Sequence, residues 1–549
     1  MPLSKYNIIY FASLVTLSVK TEEIFSSTAV LENLLETQKR IIEEFDNYKD
    51  INKHLDINRY IDEFRKEDKI AMTDIPSYIG HPINAFTLMK RMTVDLKRLN
   101  NTAIGKELIG NVFTKYKNIT IATSQDLVGA AAALVRLQYT YKLNVKDLSE
   151  GRLNGAFCSP MTSNDCFELG LVLYKEKDYG SAQAWMIQAF RKYNKEQVIY
   201  PFTELHITEY LYLSDDKKNT TNVSPKVLYE QMMAPGEFNF RYLLASIAYI
   251  RRAFPYTWCP KKYSLSMLIF AARILYLGAL RIGEQPNWNW NVFELCSGKF
   301  ELPTEESSRL TCRYLSENHA FLKIAPFKIE TLYHDPDITL FHNVISDAEI
   351  ETIKLLARPK IKRSVVFATL NVNKQSPFRI SQSVFLPDKN SNVVARLSQR
   401  AMHMTGLNME TAEPYSIINY GIGGHYTPHY DFTRKSKNVR SGPATRIATL
   451  LFYLSDVSQG GATIFLNLGL SVFPVKGTAI YWNNLHPSGM GNLATLHAAC
   501  PVLQGSKWVM TKWISLAGQE FIRPCSLEFQ DEVSLPGQFP KPVPKTILQ

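Results

Sequence analysis

Three residues near the carboxyl end of the sequence have the types and spacing of a metal site. His429 and Asp431 stand two positions apart in a stretch with strand character, so both side chains can point to one face. His497 lies in a second strand candidate, 495–503, which a folded-back sheet can bring beside the first. Two imidazoles and one carboxylate on one face of an octahedron leave three positions open, as in non-haem iron(II) oxygenases.

Lys507 follows His497 by ten positions and supports this interpretation. An H-x-D pair alone is a weak signal, because a histidine more often serves as a hydrogen-bonded structural residue. A dicarboxylate that chelates a metal through one end needs a cation at its other end, and a lysine on the adjacent strand provides one. The neighbours Trp508 and Val509 favour a covered position for Lys507 over a surface position.

Short strands separated by turns must carry these side chains. The sequence predicts strands at 415–420, 446–454, 478–482 and 508–516, with glycine-containing turns between several of them. Many short strands at this pitch indicate a sandwich or barrel, and the double-stranded β-helix, or jelly roll, is the fitting candidate. A capping box at Ser346 predicts a helix that runs to Ala357 ahead of these strands.

The amino-terminal half has helical patterns. No proline occurs between Pro2 and Pro76, and apolar residues recur there at a heptad spacing. Such a helix either pairs with a second copy of the chain or packs on its own domain, and both alternatives stay open. The seam positions are Leu31, Leu34, Gln38, Ile41, Phe45, Tyr48, Asn52 and Leu55.

Further helices are predicted beyond the heptad stretch. One covers 126–143, and its small residues 130–133 allow a neighbour to approach closely. The segments 165–175 and 179–193 form a tetratricopeptide-like helical hairpin, which needs a partner because one such unit cannot bury its face alone. The fold class is therefore α+β and multidomain, with helical amino-terminal and tetratricopeptide-like domains ahead of a jelly roll.

Composition excludes several classes of protein. The 549 residues predict about three domains, and a formal charge of +11 from 62 basic and 51 acidic residues is modest for this length. No dense basic block with interleaved aromatic residues occurs, so we expect no nucleic-acid partner. The apolar run 265–280 contains Arg273 and is too short to span a bilayer comfortably, so we expect no membrane span.

Other features indicate entry into the secretory pathway. Lys5 and the apolar run 6–19 resemble a signal peptide. Seven cysteines occur without a C-x-x-C pair, which fits disulfides in an oxidising compartment better than zinc binding. Sequons for N-glycosylation begin at Asn100, Asn118, Asn219 and Asn222.

The segments 419–432, 446–465, 476–482 and 497–509 together resemble the catalytic α subunit of the collagen prolyl 4-hydroxylases, iron(II)- and 2-oxoglutarate-dependent dioxygenases. The similarity covers about 296–524 and returns in the two helical segments at 126–143 and 165–193. The second of these resembles the peptide-substrate-binding domain of the family. Leu496, Met490 and Asn492 depart from the residues usual in the family near the mouth of the pocket.

The resemblance implies roles for individual residues. The iron ligands would be His429, Asp431 and His497, and Lys507 would pair with the distal carboxylate of 2-oxoglutarate. Tyr420 and Trp513 would line the co-substrate pocket, and Arg446 would lie near the peptide. Cys296 would pair with Cys312, and Cys500 with Cys525.

The resemblance also implies an activity, partners and a location. It predicts 4-hydroxylation of prolyl residues in collagen-like X-Pro-Gly peptides, with iron(II), 2-oxoglutarate and L-ascorbate. A protein disulfide isomerase would be the β subunit in an α2β2 tetramer of the endoplasmic reticulum lumen, with self-association through the amino-terminal helix. Two alternatives are a non-catalytic relative that binds peptide and an enzyme that hydroxylates another residue, such as lysine.

These expectations divide the chain into five parts. They are a signal peptide 1–20, a helical dimerisation domain 21–145, a tetratricopeptide-like domain 146–290, a catalytic domain 296–525 and a proline-rich tail 526–549.

Overall fold

We describe the chain from a computed structural model that covers residues 23–48, 54–117, 119–196, 198–220, 292–366, 374–375, 378–432, 445–525 and 543–544. The expected signal peptide, the sequons at Asn118 and Asn222 and most of the tail lie outside these described residues. So does the part of the expected tetratricopeptide-like domain between 221 and 290.

Helices make up the amino-terminal part of the described chain. A π-helical turn, Arg91–Asp95, connects α4 to α5. Within the described ranges, no helix combines the length and the apolar character that crossing a membrane requires. The helices are α1 (Thr28–Asp46), α2 (Leu55–Ala71), α3 (Ile75–Ile79), α4 (Pro82–Lys90), α5 (Leu96–Asn100), α6 (Ala103–Lys115), α7 (Ser124–Tyr141), α8 (Val145–Ser149), α9 (Ser163–Lys175), α10 (Tyr179–Tyr193) and α11 (Glu204–Thr220). Four more follow, namely α12 (Val292–Cys296), α13 (Thr304–Ser307), α14 (Asp347–Ala357) and α15 (Asn392–Thr405).

The first helix is shorter than the heptad pattern predicts. It ends at Asp46 and a second helix begins at Leu55, so the single long helix is wrong. The described seam side chains up to Phe45 are buried within this one chain, where α1 packs against α2, α3 and α6. Gln38 is tolerated in this seam because it accepts a hydrogen bond from the buried Arg91 at 2.9 Å. Packing on its own chain is therefore confirmed for α1, and self-association stays a prediction.

The other predicted helices form close to their expected bounds. Thr123 and Asp126 make a reciprocal capping box that begins α7 two residues before the predicted start. The hairpin of α9 and α10 forms as predicted, with Trp185 fully buried, and α11 packs on α10 as a third helix. The capping box at Ser346 begins α14, which ends at Ala357 as predicted.

Strands build the carboxyl-terminal part. All pairings between them are antiparallel. The strands are β1 (Arg152–Leu153), β2 (Ala156–Phe157), β3 (Phe300–Glu301), β4 (Cys312–Leu315), β5 (Phe327–His334), β6 (Asp337–His342), β7 (Lys362–Arg363), β8 (Val365–Val366), β9 (Lys374–Gln375), β10 (Gln382–Leu386), β11 (Tyr415–Tyr420), β12 (Tyr426–His429), β13 (Arg446–Tyr453), β14 (Gln459–Gly460), β15 (Thr463–Phe465), β16 (Leu470–Val472), β17 (Ala479–Asn483), β18 (His497–Ala499), β19 (Val502–Gln504), β20 (Lys507–Ser515) and β21 (Val543–Pro544).

Two of the sheets face each other as the layers of the predicted jelly roll. The larger has nine strands in the order β4-β5-β6-β17-β13-β20-β11-β10-β7, and the smaller has the order β12-β18-β15-β16. β20, an interior strand of the larger sheet, is buried along its whole length. The predicted strand 495–503 is divided at Cys500 and Pro501 into β18 and β19.

The helical part docks on the turn between β11 and β12. Gly423 in this turn has φ +64°, and a Cβ there would meet the Ala133 Cβ of α7 at 3.0 Å. The small run predicted at 130–133 therefore allows the close approach of this turn. Arg136, one helical turn further along α7, donates a hydrogen bond to the Gly423 carbonyl at 2.8 Å.

The disulfide in the structure differs from the expected pairings. Cys296 at the end of α12 is bonded to Cys500, with a Cα–Cα distance of 5.5 Å, while Cys312 and Cys525 are exposed free thiols. The expected pairs Cys296–Cys312 and Cys500–Cys525 are therefore wrong in this structure. The physical reason is that α12 packs on β16 in the smaller sheet, close to Cys500, whereas Cys312 lies on the edge strand β4 of the larger sheet.

This pairing is testable by peptide mapping without reduction. We expect a proteolytic digest of the full-length protein to contain a disulfide-linked peptide pair that joins Cys296 to Cys500. Alkylation before digestion should label Cys312 and Cys525, because both thiols are exposed. A linked pair that joins Cys296 to Cys312 would contradict the structure.

Candidate metal centre and co-substrate pocket

The three predicted ligands converge in space. β12 and β18 are antiparallel neighbours in the smaller sheet, with His429 directly opposite His497. Asp431 follows β12 by two residues and turns toward both rings. The potential ligand atoms of the three side chains all lie within 4.8 Å of one another, and each histidine Nε2 is 3.8 Å from an Asp431 oxygen.

Backbone carbonyls fix the tautomer of both histidines. His429 Nδ1 is 2.8 Å from the Thr427 carbonyl, and His497 Nδ1 is 2.9 Å from the Thr495 carbonyl. A carbonyl only accepts, so both Nδ1 atoms carry a proton, and both Nε2 atoms face Asp431. Such orientation by backbone carbonyls is typical of metal-binding histidines, and the residues therefore fit a divalent metal.

Asp431 is held from the opposite sheet. Its Oδ2 accepts hydrogen bonds from Thr449 Oγ1 on β13 at 2.7 Å and from Trp513 Nε1 on β20 at 3.0 Å. Asn484 in turn donates to Thr449 Oγ1 at 2.9 Å. The carboxylate therefore has its orientation set by the larger sheet, while both histidines belong to the smaller sheet.

The protonation states also suit metal binding. Burial, followed by the nearby His497, lowers the pKa of His429 to about 3, so the ring is neutral near pH 7. Burial raises the pKa of Asp431, but His497, His429 and Arg446 outweigh it and bring that pKa to about 2. The centre thus offers a neutral imidazole at His429 and an ionised carboxylate at Asp431, the forms in which these groups bind a metal.

Lys507 is buried beside this centre. It is the first residue of β20 and is 1 % exposed, and its ammonium donates to the Gly461 carbonyl at 2.6 Å. The Nζ lies 5.2 Å from the centre of the Tyr420 ring, which stands opposite Lys507 on β11. Burial lowers the pKa of Lys507 to about 7. Among the described residues, no carboxylate offsets this effect of burial on the ammonium.

One cavity is lined by the three metal ligands and by Lys507. Aromatic and aliphatic side chains line it together with the metal ligands, Lys507, Arg379 and three threonines. A small dicarboxylate fits this distribution, because one end meets the ligands and the other meets the ammonium. Tyr420 and Trp513 both line this cavity, and their contact with a co-substrate stays a prediction.

Arg446 lies at the start of β13 beside this centre. Its guanidinium makes two hydrogen bonds to Glu413, at 2.5 and 3.0 Å, and lies 3.9 Å from the centre of a Trp513 ring. One of its nitrogens is also 3.8 Å from Asp431. The guanidinium therefore helps to keep Asp431 ionised, and the expected nearness of Arg446 to a bound peptide stays a prediction.

Comparison with known proteins agrees with this geometry. A family profile described as "Prolyl 4-Hydroxylase alpha-subunit, N-terminal region" matches residues 27–155, and one described as "2OG-Fe(II) oxygenase superfamily" matches residues 415–515. Human prolyl 4-hydroxylase subunit alpha-1 is 36% identical over 92% of this chain and 95% of its own length. The chain belongs to the prolyl 4-hydroxylase α-subunit family. It is an iron(II)- and 2-oxoglutarate-dependent dioxygenase, as the sequence predicts.

Other relatives extend the comparison. Prolyl 4-hydroxylase subunit alpha-2 of Caenorhabditis elegans is 37% identical over 92% of this chain and 94% of its own length. Among solved structures, the viral collagen prolyl hydroxylase vCPH of Paramecium bursaria Chlorella virus-1 in its 2OG complex matches with 23% identity and a TM-score of 0.27. That match covers 32% of this chain and 94% of the viral chain.

Sequence reasoning missed the residues that support the family's ligand set. Thr449 and Asn484 orient Asp431, and Glu413 binds Arg446. Arg379 also lines the cavity and lies 4.8 Å from the centre of the Tyr426 ring. The period-two alternation of β13 could have placed Thr449 on an inward face, but no local signal pairs it with Asp431.

The hydrogen bond from Trp513 to Asp431 gives a first prediction for the metal. Trp513→Phe keeps an aromatic ring but removes the Nε1 donor, so we expect metal affinity to fall by about 10- to 100-fold, as is usual when such an outer contact is lost. Isothermal titration calorimetry with manganese(II) measures this change in affinity.

Trp482 provides the matched control for that experiment. It lines the same cavity, and its buried Nε1 has no hydrogen-bond partner among the described residues. Trp482→Phe should therefore leave manganese affinity nearly unchanged. Equal losses in the two variants would contradict a specific role for the Trp513 donor.

The lowered pKa of Lys507 predicts how co-substrate binding depends on pH. A bound dicarboxylate favours the ammonium and raises its pKa, so binding takes up a proton above pH 7. Affinity for 2-oxoglutarate should be full below that pH and fall by about tenfold for each further pH unit until the pKa of the complex is reached. Equilibrium binding measured from about pH 6 to pH 9 tests the slope.

Lys507→Arg is the control, since a guanidinium stays charged throughout this range. Its binding can be weaker at every pH, but the steep loss above pH 7 should disappear. If the native protein and the arginine variant have the same slope, Lys507 does not contribute the titrating group.

Proposed function

We propose that this enzyme hydroxylates C4 of prolyl residues in collagen-like X-Pro-Gly sequences, with O2 and 2-oxoglutarate as co-substrates and succinate and CO2 as products. The observation that carries the proposal is the placement of His429, Asp431 and His497 in one cavity with the buried Lys507. The family relatives named prolyl 4-hydroxylase α subunits support proline as the target.

The residues of this chain divide the work of the reaction. His429, Asp431 and His497 would hold iron(II), which when bound couples the oxidative decarboxylation of 2-oxoglutarate to the oxidation of a C–H bond. Lys507 would bind the far carboxylate and thereby orient the co-substrate toward the ligands. The apolar walls of the cavity exclude water from the reacting atoms.

The helical hairpin supports a role in peptide binding. Aromatic side chains of the hairpin, of the loop that follows it and of α11 form a series of stacked and edge-on contacts, with the Phe167 and Phe202 rings 4.1 Å apart. Proline-rich peptides dock in aromatic-lined grooves, because their extended conformation loses little entropy on binding. The cluster comprises Phe167, Tyr174, Tyr179, Tyr193, Tyr200, Phe202 and Tyr210.

The remaining expectations belong to the same proposal. They include L-ascorbate as the reductant, a protein disulfide isomerase as the β subunit and residence in the endoplasmic reticulum lumen. Asn100 is exposed at the end of α5, a position that is compatible with glycosylation. The sequon residue Asn219 lies in α11. The buried disulfide between Cys296 and Cys500 supports an oxidising compartment.

Succinate release tests the proposed activity. With iron(II), ascorbate and 2-oxoglutarate, a (Pro-Pro-Gly)-type peptide should stimulate succinate formation by the full-length enzyme, and mass spectrometry should find one added oxygen per hydroxylated proline. His497→Ala removes a ligand and should abolish both signals.

Two matched peptides separate the alternatives. A peptide with lysine in place of the hydroxylatable proline should give no stimulation. Stimulation by the lysine peptide alone would favour lysyl hydroxylation, and the absence of turnover with any peptide would favour a non-catalytic relative.

A further inference from the structure

The first turn of α1 takes its hydrogen-bond acceptor from the catalytic domain. Ser27 precedes α1 and makes no side-chain cap of its own. Instead the Ala29 backbone N–H donates to Asn419 Oδ1 at 3.2 Å, and the Ser27 hydroxyl donates to the same oxygen at 2.6 Å. Exposed helix-end N–H groups need an acceptor, so Asn419 serves as the cap from a distant part of the sequence.

The other side of the same amide holds the start of β20. Asn419 Nδ2 lies 3.3 Å from the Lys507 carbonyl and 3.3 Å from the Ser506 hydroxyl. The Ser506 hydroxyl is in turn 2.5 Å from the Thr28 hydroxyl. The helix start and the backbone of the predicted 2-oxoglutarate anchor therefore share one side chain.

The contact between the amino-terminal segment and the end of β11 is buried and closely packed. Ser27 and Asn419 are both fully buried, so loss of the Asn419 side chain would leave the Ser27 hydroxyl and the Ala29 N–H without their acceptor and without water to replace it. The adjacent Gly421 N–H donates to the Ser26 carbonyl at 3.0 Å, and a Cβ at Gly421 would meet the Phe25 carbonyl at 2.2 Å. The amino-terminal segment therefore fits against the end of β11 without room for water.

We propose that Asn419 is a positioning residue that couples the start of α1 to Lys507, so that the amino-terminal helical region sets the affinity of the enzyme for 2-oxoglutarate. The proposal rests on the proposed function only in taking 2-oxoglutarate as the ligand of Lys507. Asn419 lies one residue before Tyr420, which stands opposite Lys507, so a shift of the amide moves both walls of the anion end of the cavity. A change in α1 is thus transmitted to the end of the cavity that holds Lys507.

The experiment removes a hydrogen bond at the start of α1 and measures the affinity of the enzyme for 2-oxoglutarate. Ser27→Ala in the full-length enzyme removes the shortest of the hydrogen bonds to Asn419 Oδ1, and we expect the Kd for 2-oxoglutarate in the presence of manganese(II) to rise about three- to tenfold, the range of one hydrogen bond. KM for 2-oxoglutarate should rise by the same factor with kcat nearly unchanged. Ser27→Thr keeps a hydroxyl and should restore binding.

The matched control loses a helix cap elsewhere. Asp178 caps α10 by accepting from the Ser181 N–H at 3.1 Å, and α10 packs on α9 and α11. Asp178→Ala should destabilise the fold to a similar extent without changing the Kd for 2-oxoglutarate. Equal Kd values for the native enzyme and Ser27→Ala, or equal losses in Ser27→Ala and Asp178→Ala, would overturn the proposal.

A double-mutant cycle adds a readout that needs neither metal nor turnover. In the metal-free protein, the losses of thermal stability in Ser27→Ala and Asn419→Ala should not add, because both remove the same contact. Additive losses would also overturn the proposal. If Asn419→Ala does not fold, the single Ser27 variants still decide through binding, and a native enzyme that does not bind 2-oxoglutarate at all would overturn the proposed function as well.

Discussion

The antiparallel pairing of β12 with β18 is the constraint on which the site depends. It places His429 opposite His497, and a shift of one residue in either strand would turn its ring to the other face of the sheet. Asp431 joins them only because the larger sheet supplies hydrogen bonds from Thr449 and Trp513. The site is therefore a property of the two facing sheets together, and neither sheet alone contains it.

The metal ligands could be predicted from the sequence because His429 and Asp431 are separated by the two-residue period of a strand. His429 and Asp431 share a face because side chains alternate along a strand. β11 has the predicted bounds, and in the hairpin of α9 and α10 only the start of α9 differs, by two residues. The position of Lys507 was harder to predict, because its burial depends on strands that are far apart in the sequence. Its apolar neighbours were enough to favour the covered position that the structure has.

The rest could not be predicted because it depends on contacts between distant segments. The heptad pattern indicates an apolar stripe but not its partner, and in the structure the partner is the same chain. Cysteine pairing depends on which elements pack together, so Cys296 meets Cys500 across the smaller sheet. The bond from Ser27 to Asn419 spans 392 positions and has no signal in either local sequence.

Asp431 is the point where the two sheets meet, and this has a consequence for the life of the protein. Because the carboxylate is anchored to one sheet and the imidazoles belong to the other, a divalent ion bound there would cross-link the two sheets. Tight binding to the folded state alone adds directly to the free energy of unfolding. The supply of iron in the compartment would then govern how long the folded chain survives, in addition to how fast it works.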